Sequence, residues 1–385
     1  MLPSSFRKLD PLHEILFTTN LGRDSDKDSV FNAFSLALQE ENPVKRTYLM
    51  GILLNGLMAK GPTKEEVRGL LDAAFTMDGF IPEERNHYPS KKKTITIAGS
   101  GKKGYKTVNI SSLAAIVAAC HGELIILKLC SPSTSSVTGS QDFFSLIGGN
   151  MNLSKDKRID TTNSTGIGFF PVEDVLPQFA SVYSGWYYAP HAMSFALAGM
   201  ACEYKTDYLL YGLAHPNITL SMEVFRGYGY PQAMVVTSTF DGVHYVDELF
   251  SQCGVAIQGY QDASDINPRK ASFYVDDVIK LQYSLPVYQA VSQQPTIEEN
   301  VTKGLSAFLG NEDLAQQVAV NAAAILVAGE VYHDFHEAYT WSYSCIQSGA
   351  PIEKLRQLID SSGGNSEQLQ MIIDQAKSGI LAARD

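Results

Sequence analysis

Between residues 94 and 112 the chain reads Thr-Ile-Thr-Ile-Ala-Gly-Ser-Gly-Lys-Lys-Gly-Tyr-Lys-Thr-Val-Asn-Ile-Ser-Ser, an alternating run that breaks into glycines and ends at a helix start. That order builds an anion site. Gly99, Ser100, Gly101 and Gly104 let the backbone turn tightly and present bare N–H groups, and the dipole of the following helix favours negative charge at the same place. Lys102, Lys103 and Lys106 add positive charge to the loop, while Thr107, Asn109 and Ser111 add polar side chains where the helix begins. Phosphate is the ligand such a loop suits. Two other side chains stand out as candidate catalytic groups. Lys128 ends the apolar run Leu124–Lys128, where the sites of α/β sheets gather. His191 follows Trp186, Tyr187 and Tyr188 and fits the wall of a pocket for a small aromatic acceptor. Asp247 and Glu248 are adjacent acids, which by themselves read as a solvated turn.

The loop needs elements to hold it. Ile95 and Ile97 alternate with threonines, which predicts a strand, and Leu124-Ile-Ile-Leu-Lys128 predicts a second; with a helix between them this is a parallel βαβ unit. Val235-Val-Thr and Ser272-Phe-Tyr-Val are further strand candidates, and helices dominate after Ile297. Before the loop, from Pro11 to about Gly79, the pattern is helical. Tyr48, Leu49, Ile52, Leu53 and Leu57 recur at helical spacing until Lys60-Gly61-Pro62 stops them, and Thr63 with Glu66 forms a capping box for the next helix. Glu83 to Lys93 reads as a linker. Residues 161–190 mix Thr, Gly, Phe, Trp and Tyr without clean periodicity and read as loop and helix near a pocket. The expected class is therefore α/β, with a small N-terminal helical domain beside a larger α/β domain whose mostly parallel central sheet is flanked by helices. The expected division is residues 1–88, with a returning segment at about 165–215, and residues 89–385 as the α/β domain that carries the glycine loop.

Composition sets the bounds. The 385 residues are 45% hydrophobic and 18% charged, and 30 basic against 41 acidic residues give a formal charge of −11. This is a globular composition, and the acidic balance argues against nucleic acid or an anionic membrane as partner. Any anion site must be local. The stretch Ser111–Cys130 is interrupted by His121, Glu123 and Lys128, so it reads as a buried helix and a strand rather than a membrane span. The N-terminal octapeptide lacks the apolar core of a secretory signal, and the expected location is cytoplasmic. Five cysteines, Cys120, Cys130, Cys202, Cys253 and Cys345, are widely spread without CxxC spacing and read as small buried hydrophobes.

Gly99 to Ser112 resembles the signature G-T-G-G-D-G-x-x-T-x-N-x-S-T of anthranilate phosphoribosyltransferases and their relatives. The likeness extends to Lys60-Gly-Pro-Thr-Lys-Glu-Glu66, to Thr138-Gly-Ser140-Gln-Asp142, to Tyr187-Tyr-Ala-Pro-His-Ala-Met193, to Asp247-Glu248 and to Asn300–Gly329 with its Asn321-Ala322-Ala323. The resemblance implies transfer of the phosphoribosyl group of phosphoribosyl pyrophosphate, with magnesium on the pyrophosphate, in a homodimer paired through the helical domains. It places Gly99, Ser100, Gly101, Lys102, Lys103, Thr107, Asn109, Ser111 and Ser140 around the donor, Lys128 against a phosphate, and Ser111, Asp247 and Glu248 near magnesium. Such a reaction must neutralise a highly charged leaving group and place the nucleophile.

The sequence also departs from that pattern. Lys102 and Lys103 replace the signature's Gly-Asp, and the family's K-H-G-N-R run is Lys128-Leu-Cys-Ser-Pro132. The arginine that holds the anthranilate carboxylate falls near Ala201, and the G-P-L-x-N-P segment is shortened to Gly212-Leu-Ala-His-Pro216. Without that arginine an anthranilate carboxylate forgoes a charge-assisted contact of about 1.5 to 3 kcal/mol, which points to a different acceptor. Two alternatives stay open: a catalytically silent relative that binds a nucleotide or nucleic acid, and a nucleoside phosphorylase that puts free phosphate in the loop.

Overall fold

The computed structural model describes residues 10–134, 136–183, 185, 187–230, 232–250, 254–258, 271–275, 279 and 287–382; the N-terminal octapeptide, Trp186 and Cys253 lie outside these. Four helices come first, α1 (Pro11–Asn20), α2 (Lys27–Gln39), α3 (Pro43–Lys60) and α4 (Lys64–Thr76), and the side chains of Asp10, Asp26, Asn42 and Thr63 cap their starts. Gly61, at φ 88, ends α3 as its sequence predicts. The Thr63–Glu66 capping box forms, and Glu66 is fully buried. Its carboxylate also accepts the Ser25 N–H at 2.9 Å and meets the Lys60 ammonium at 2.9 Å. The Lys60–Glu66 turn is thus a buried charge pair that fastens α3 to α4.

The strands are β1 (Asn86–His87), β2 (Lys93–Gly99), β3 (Leu124–Cys130), β4 (Ile167–Pro171), β5 (Tyr204–Lys205), β6 (Tyr208–Gly212), β7 (Ala233–Thr239), β8 (Tyr245–Val246), β9 (Gly254–Gln258) and β10 (Ala271–Tyr274). One sheet runs β10-β9-β7-β6-β2-β3-β4, with β8 on β7, and β1 pairs with β5 apart from it. β4, β3, β2, β6 and β7 are parallel, with Ile97 opposite Lys128 and Gly99 opposite Gly212; β8 and β9 pair antiparallel with β7, and β10 antiparallel with β9. The expected βαβ unit is β2, α5 (Ile110–Ala119) and β3. The fold is α/β, a mostly parallel sheet flanked by helices beside an N-terminal helical layer. The Ser111–Cys130 stretch is accordingly a buried helix and a strand, and among the described residues no helix is long and apolar enough to cross a membrane.

Alternation along the strands divides the interior in two. Ile95, Ile97, Ile126, Leu210, Met234 and Val236 face a core shared with α5 and the helix Glu312–Ala328, which is buried along nearly its whole length. Ile125, Leu127, Leu209, Tyr211 and Val235 face the other way, into a core shared with Leu53, Leu57, Leu70 and Phe75 of the N-terminal helices.

Residues 161–190 differ from their sequence reading as loop and helix. Between the helices Lys155–Thr165 and Pro177–Val182 lies β4, all five of its residues buried. A short parallel strand covered on both faces carries a continuous apolar run, so Ile-Gly-Phe-Phe-Pro shows no period-two signal. The linker reading is also corrected in part, since Asn86–His87 forms β1. β6, unread from the sequence, carries Gly212 to the site.

Candidate functional site

The parallel strands β2, β3 and β6 end at one cleft of about 420 Å³. Gly99, Ser100, Gly101, Lys102, Lys103, Thr107, Asn109, Ser111, Lys128, Ser140, His191 and Asp247 all line it, so the structure brings together every candidate except Glu248, which is buried directly behind Asp247. The lining holds four lysines, Lys102, Lys103, Lys106 and Lys128, against the acids Glu173 and Asp247. On a chain of net charge −11 this is the local basic pocket an anion needs.

The glycine loop is fixed from several sides. The Ser100 N–H donates to the Gly212 carbonyl at 2.8 Å, and the Ala214 N–H donates to Ser100 Oγ at 3.0 Å. The Gly101 N–H donates to Asp247 Oδ2 at 3.0 Å. Asp247 comes so close that a Cβ on Gly99 would stand 2.4 Å from its Oδ2, and one on Gly212 would stand 2.0 Å from its carbonyl oxygen. Only glycine fits either place. Gly101 and Lys102 are consecutive left-handed residues, φ 63 and 57, which turn the chain back into the cleft. That conformation costs a lysine roughly 1 kcal/mol, a strain held by the bonds around it. Downstream, the Val108 N–H donates to the Val291 carbonyl at 2.9 Å and the Gln293 N–H to the Lys106 carbonyl at 2.9 Å.

The two lysines of the departed signature part company. Lys102 is buried and its ammonium donates to the Gly185 carbonyl. Burial, and then Lys106, pull its pKa down to about 8. Lys103, expected to hold phosphate, turns to the carboxylates instead. Its Nζ bonds Glu248 Oε1, lies 3.4 Å from Asp247 Oδ1, and donates to Thr107 Oγ1 at 2.7 Å. Burial opposes the charge, but Glu248 and then Asp247 more than offset it and hold the ammonium above its ordinary value. Burial pushes the Glu248 carboxyl up to about 7 against the pull of Lys103.

Magnesium ligands were expected at Ser111, Asp247 and Glu248. The Ser111 hydroxyl is in the cleft wall, next to the buried and unpartnered Asn109 Oδ1, and these oxygen donors fit a hard cation brought in with the donor. The carboxylate pair as arranged does not offer a vacant metal site, because an ammonium group already sits on it. At an effective dielectric near 20, two unit charges about 4 Å apart interact by about 4 kcal/mol, so a divalent ion beside Lys103 would meet roughly twice that in repulsion. Among the described residues there is no group of three or more His, Cys, Asp or Glu side chains suited to a metal.

On the other wall, His191 is buried and its Nε2 lies 2.7 Å from the Tyr183 hydroxyl. Burial, and then Lys102, push the ring down to about 3, so it stays neutral. Tyr183 stacks between Phe179 and Tyr187, at centroid distances of 5.0 and 5.5 Å. Of the aromatics the sequence set before His191, Tyr187 meets its ring at 4.8 Å, Tyr188 is exposed and Trp186 lies outside the described residues. Phe179 and Tyr183 therefore make the aromatic wall of the cleft. Lys128 is buried with its Nζ donating to the Leu129 carbonyl at 3.1 Å, and burial lowers its pKa.

Two residues of the site, Thr138 and Asn321, entered the sequence reading only as parts of resembling segments, without a role. Thr138 Oγ1 is buried in the lining without a partner, and Asn109 Nδ2 donates to the Thr138 carbonyl at 3.3 Å. Asn321 holds the acidic segment in place: its Oδ1 accepts the Leu249 N–H at 3.0 Å and its Nδ2 donates to the Leu249 carbonyl at 3.0 Å. An asparagine inside the otherwise apolar stretch 318–328 of the helix Glu312–Ala328 was the available clue.

A strand, glycine loop and helix that end in a basic cleft at the strand ends of such a sheet suit group transfer from an anionic substrate, and comparison with known proteins gives the family. The model described as "Glycosyl transferase family, a/b domain" matches residues 91–352, more than half of the chain. The chain belongs to this family, and within it is an anthranilate phosphoribosyltransferase-like member. It is similar to the anthranilate phosphoribosyltransferase of Pyrobaculum islandicum, 28% identical over 342 residues that cover 86% of this chain and 97% of that one. It is also similar to that of Shewanella baltica, 25% identical over 376 residues covering 93% and 97%. The fold matches that of the Thermus thermophilus enzyme with TM-score 0.70 at 19% identity, covering 92% of this chain and 99% of that one. It likewise matches the Saccharomyces cerevisiae enzyme, solved in complex with PRPP and Mg, with TM-score 0.69 at 15% identity, covering 91% and 98%.

Proposed function

We propose that the chain moves the phosphoribosyl group of phosphoribosyl pyrophosphate to an acceptor other than anthranilate. One asymmetry of the cleft carries this reading. The donor side keeps its loop, its lysines and the unpartnered buried atoms Asn109 Oδ1 and Thr138 Oγ1, which await a polar ligand. The acceptor side has Ala201 in its wall, and among the described lining residues there is no arginine.

The bond that breaks joins the anomeric carbon to a pyrophosphate oxygen, and the carbon gains oxocarbenium character as it does so. The Ser100 and Gly101 N–H groups are already given to the Gly212 carbonyl and to Asp247 Oδ2. The side chains of Lys102, Ser111 and Ser140 and the ammonium of Lys128 therefore hold the phosphates and take up the negative charge that develops, while Asn109 Oδ1 accepts from a hydroxyl of the donor. When brought in with the pyrophosphate, magnesium would neutralise further charge on the leaving group, with the Ser111 hydroxyl among the oxygens that would hold it. His191 is a poor proton acceptor with a pKa near 3, so it orients the acceptor through Nδ1, which is buried and has no protein partner. Phe179 and Tyr183, both in the cleft wall, supply an apolar face for a small aromatic acceptor, and Tyr187 backs Tyr183. The exposed apolar face of α3, with Val44, Tyr48 and Ile52, supports a homodimer paired through the helical layer.

The test is product formation by mass spectrometry with phosphoribosyl pyrophosphate, magnesium and a panel of aromatic amines and nitrogen heterocycles. A ribosylated product and released pyrophosphate with a compound other than anthranilate support the reading. Turnover with anthranilate contradicts it.

A further inference from the structure

We propose that Lys103 is a tethered cation that occupies the Asp247–Glu248 pair in place of a divalent ion, leaving the chain with no metal site there. This deepens the donor-site reading and rests on it for its catalytic meaning, but its geometry stands by itself. The family signature has an acid at the position of Lys103, and the resemblance gives the acid pair to magnesium. Here both features change together: the loop acid becomes a cation, and that cation reaches the pair.

The fit is specific to this lysine. Lys102, its neighbour, points to Gly185, whereas Lys103 reaches Glu248 Oε1, Asp247 Oδ1 and Thr107 Oγ1. The pair remains useful to the fold in the way a metal site would be. Asp247 Oδ2 accepts the Gly101 N–H at 3.0 Å and Asn321 fixes Leu249 behind it, so the ammonium ties the glycine loop to the acidic segment before any donor arrives. A bound metal must be recruited and can leave. A lysine is covalently present, compact and singly charged; its N–H donors go to Glu248 Oε1 and Thr107 Oγ1, and Asp247 Oδ1, 3.4 Å away and without a hydrogen-bond partner, is met by charge. Thr107, which the resemblance puts against the donor, is thereby given to the lysine and helps to hold it.

Donor-free manganese binding, read by electron paramagnetic resonance, tests this without any turnover. The wild-type protein is expected to show no manganese site that the double variant Asp247→Asn, Glu248→Gln removes. Lys103→Met is expected to gain one site, at least about tenfold tighter than any wild-type binding, because the repulsive charge is gone and two facing carboxylates remain. Adding Asp247→Asn and Glu248→Gln to Lys103→Met is expected to abolish it. Lys103→Arg, which keeps the charge, is expected to stay metal-free and serves if Lys103→Met fails to fold. A wild-type or Lys103→Arg manganese site lost on Asp247→Asn, Glu248→Gln overturns the proposal, as does a folded Lys103→Met protein with no new site. Calorimetric titration of the wild type with donor and magnesium is a separate measurement, so failure of the donor reading is told apart from failure of this one.

Discussion

The Nε2 atom of His191 lies 2.7 Å from the Tyr183 hydroxyl oxygen, while its Nδ1 is buried with no protein partner and the ring borders the cleft. One nitrogen is used to hold the ring and the other is left for a ligand. The neutral ring carries a pH signature. Its folded pKa is pushed down to about 3, below the usual 6.5 of an unfolded histidine. Below pH 6.5 the unfolded chain therefore binds the extra proton, and stability falls as pH falls, by up to about 1.4 kcal/mol per unit until the folded value is reached. Denaturant unfolding of wild type and His191→Gln between pH 7 and 4.5 is expected to show the steeper loss in the wild type. Equal slopes contradict the assignment.

Lys102 gives the opposite kind of dependence. Its ammonium, with a pKa near 8, loses its charge at a pH where ordinary lysines keep theirs. Donor affinity is expected to weaken as pH rises through about 8. In Lys102→Gln affinity falls by roughly 10- to 100-fold at pH 7, the loss of one charge-assisted contact of about 1.5–3 kcal/mol, and the alkaline decline disappears. Calorimetric titration of donor at several pH values checks both.

Lys103→Met leaves Asp247 and Glu248 buried side by side. Removing one partner of a buried ion pair costs about 3–5 kcal/mol, and the unfolding midpoint in denaturant is expected to shift accordingly. Lys103→Arg is expected to recover most of the loss. A Met variant as stable as wild type means that the ammonium does not hold the loop.

Much of the cleft was legible because its parts are adjacent in sequence. Strand, glycines, lysines, Asn109 and Ser111 fall within nineteen residues, and Lys128 follows from pairing β3 beside β2. Glycines at 99 and 101 were read as turn-formers, and the structure adds a second reason for Gly99, the approach of Asp247. What stayed hidden depends on residues far apart in the chain. No local pattern says that Lys103 will turn to residue 248 while Lys102 turns to residue 185, because that choice is made by tertiary packing and by the left-handed backbone at Lys102. β4 and β6 were missed for a related reason: strands buried on both faces lose the alternation that marks half-exposed ones.

The apolar face of α3 bears on assembly. Val44 and Tyr48 are 79% and 67% exposed, and Ile52 continues the stripe one turn on. Sedimentation is expected to give a dimer for the wild type, and a monomer with an unchanged melting temperature for the variant Tyr48→Glu, Ile52→Glu. A wild-type monomer at micromolar concentration contradicts the pairing.

The cleft at the ends of β2, β3 and β6, proposed as a phosphoribosyl-donor site, is put to the test by calorimetric titration of the wild-type protein with phosphoribosyl pyrophosphate and magnesium. One site per chain with a submillimolar Kd, weakened in Lys102→Gln, is the expected result. No binding heat at millimolar donor, across temperatures chosen to avoid an accidental zero in enthalpy, would contradict it.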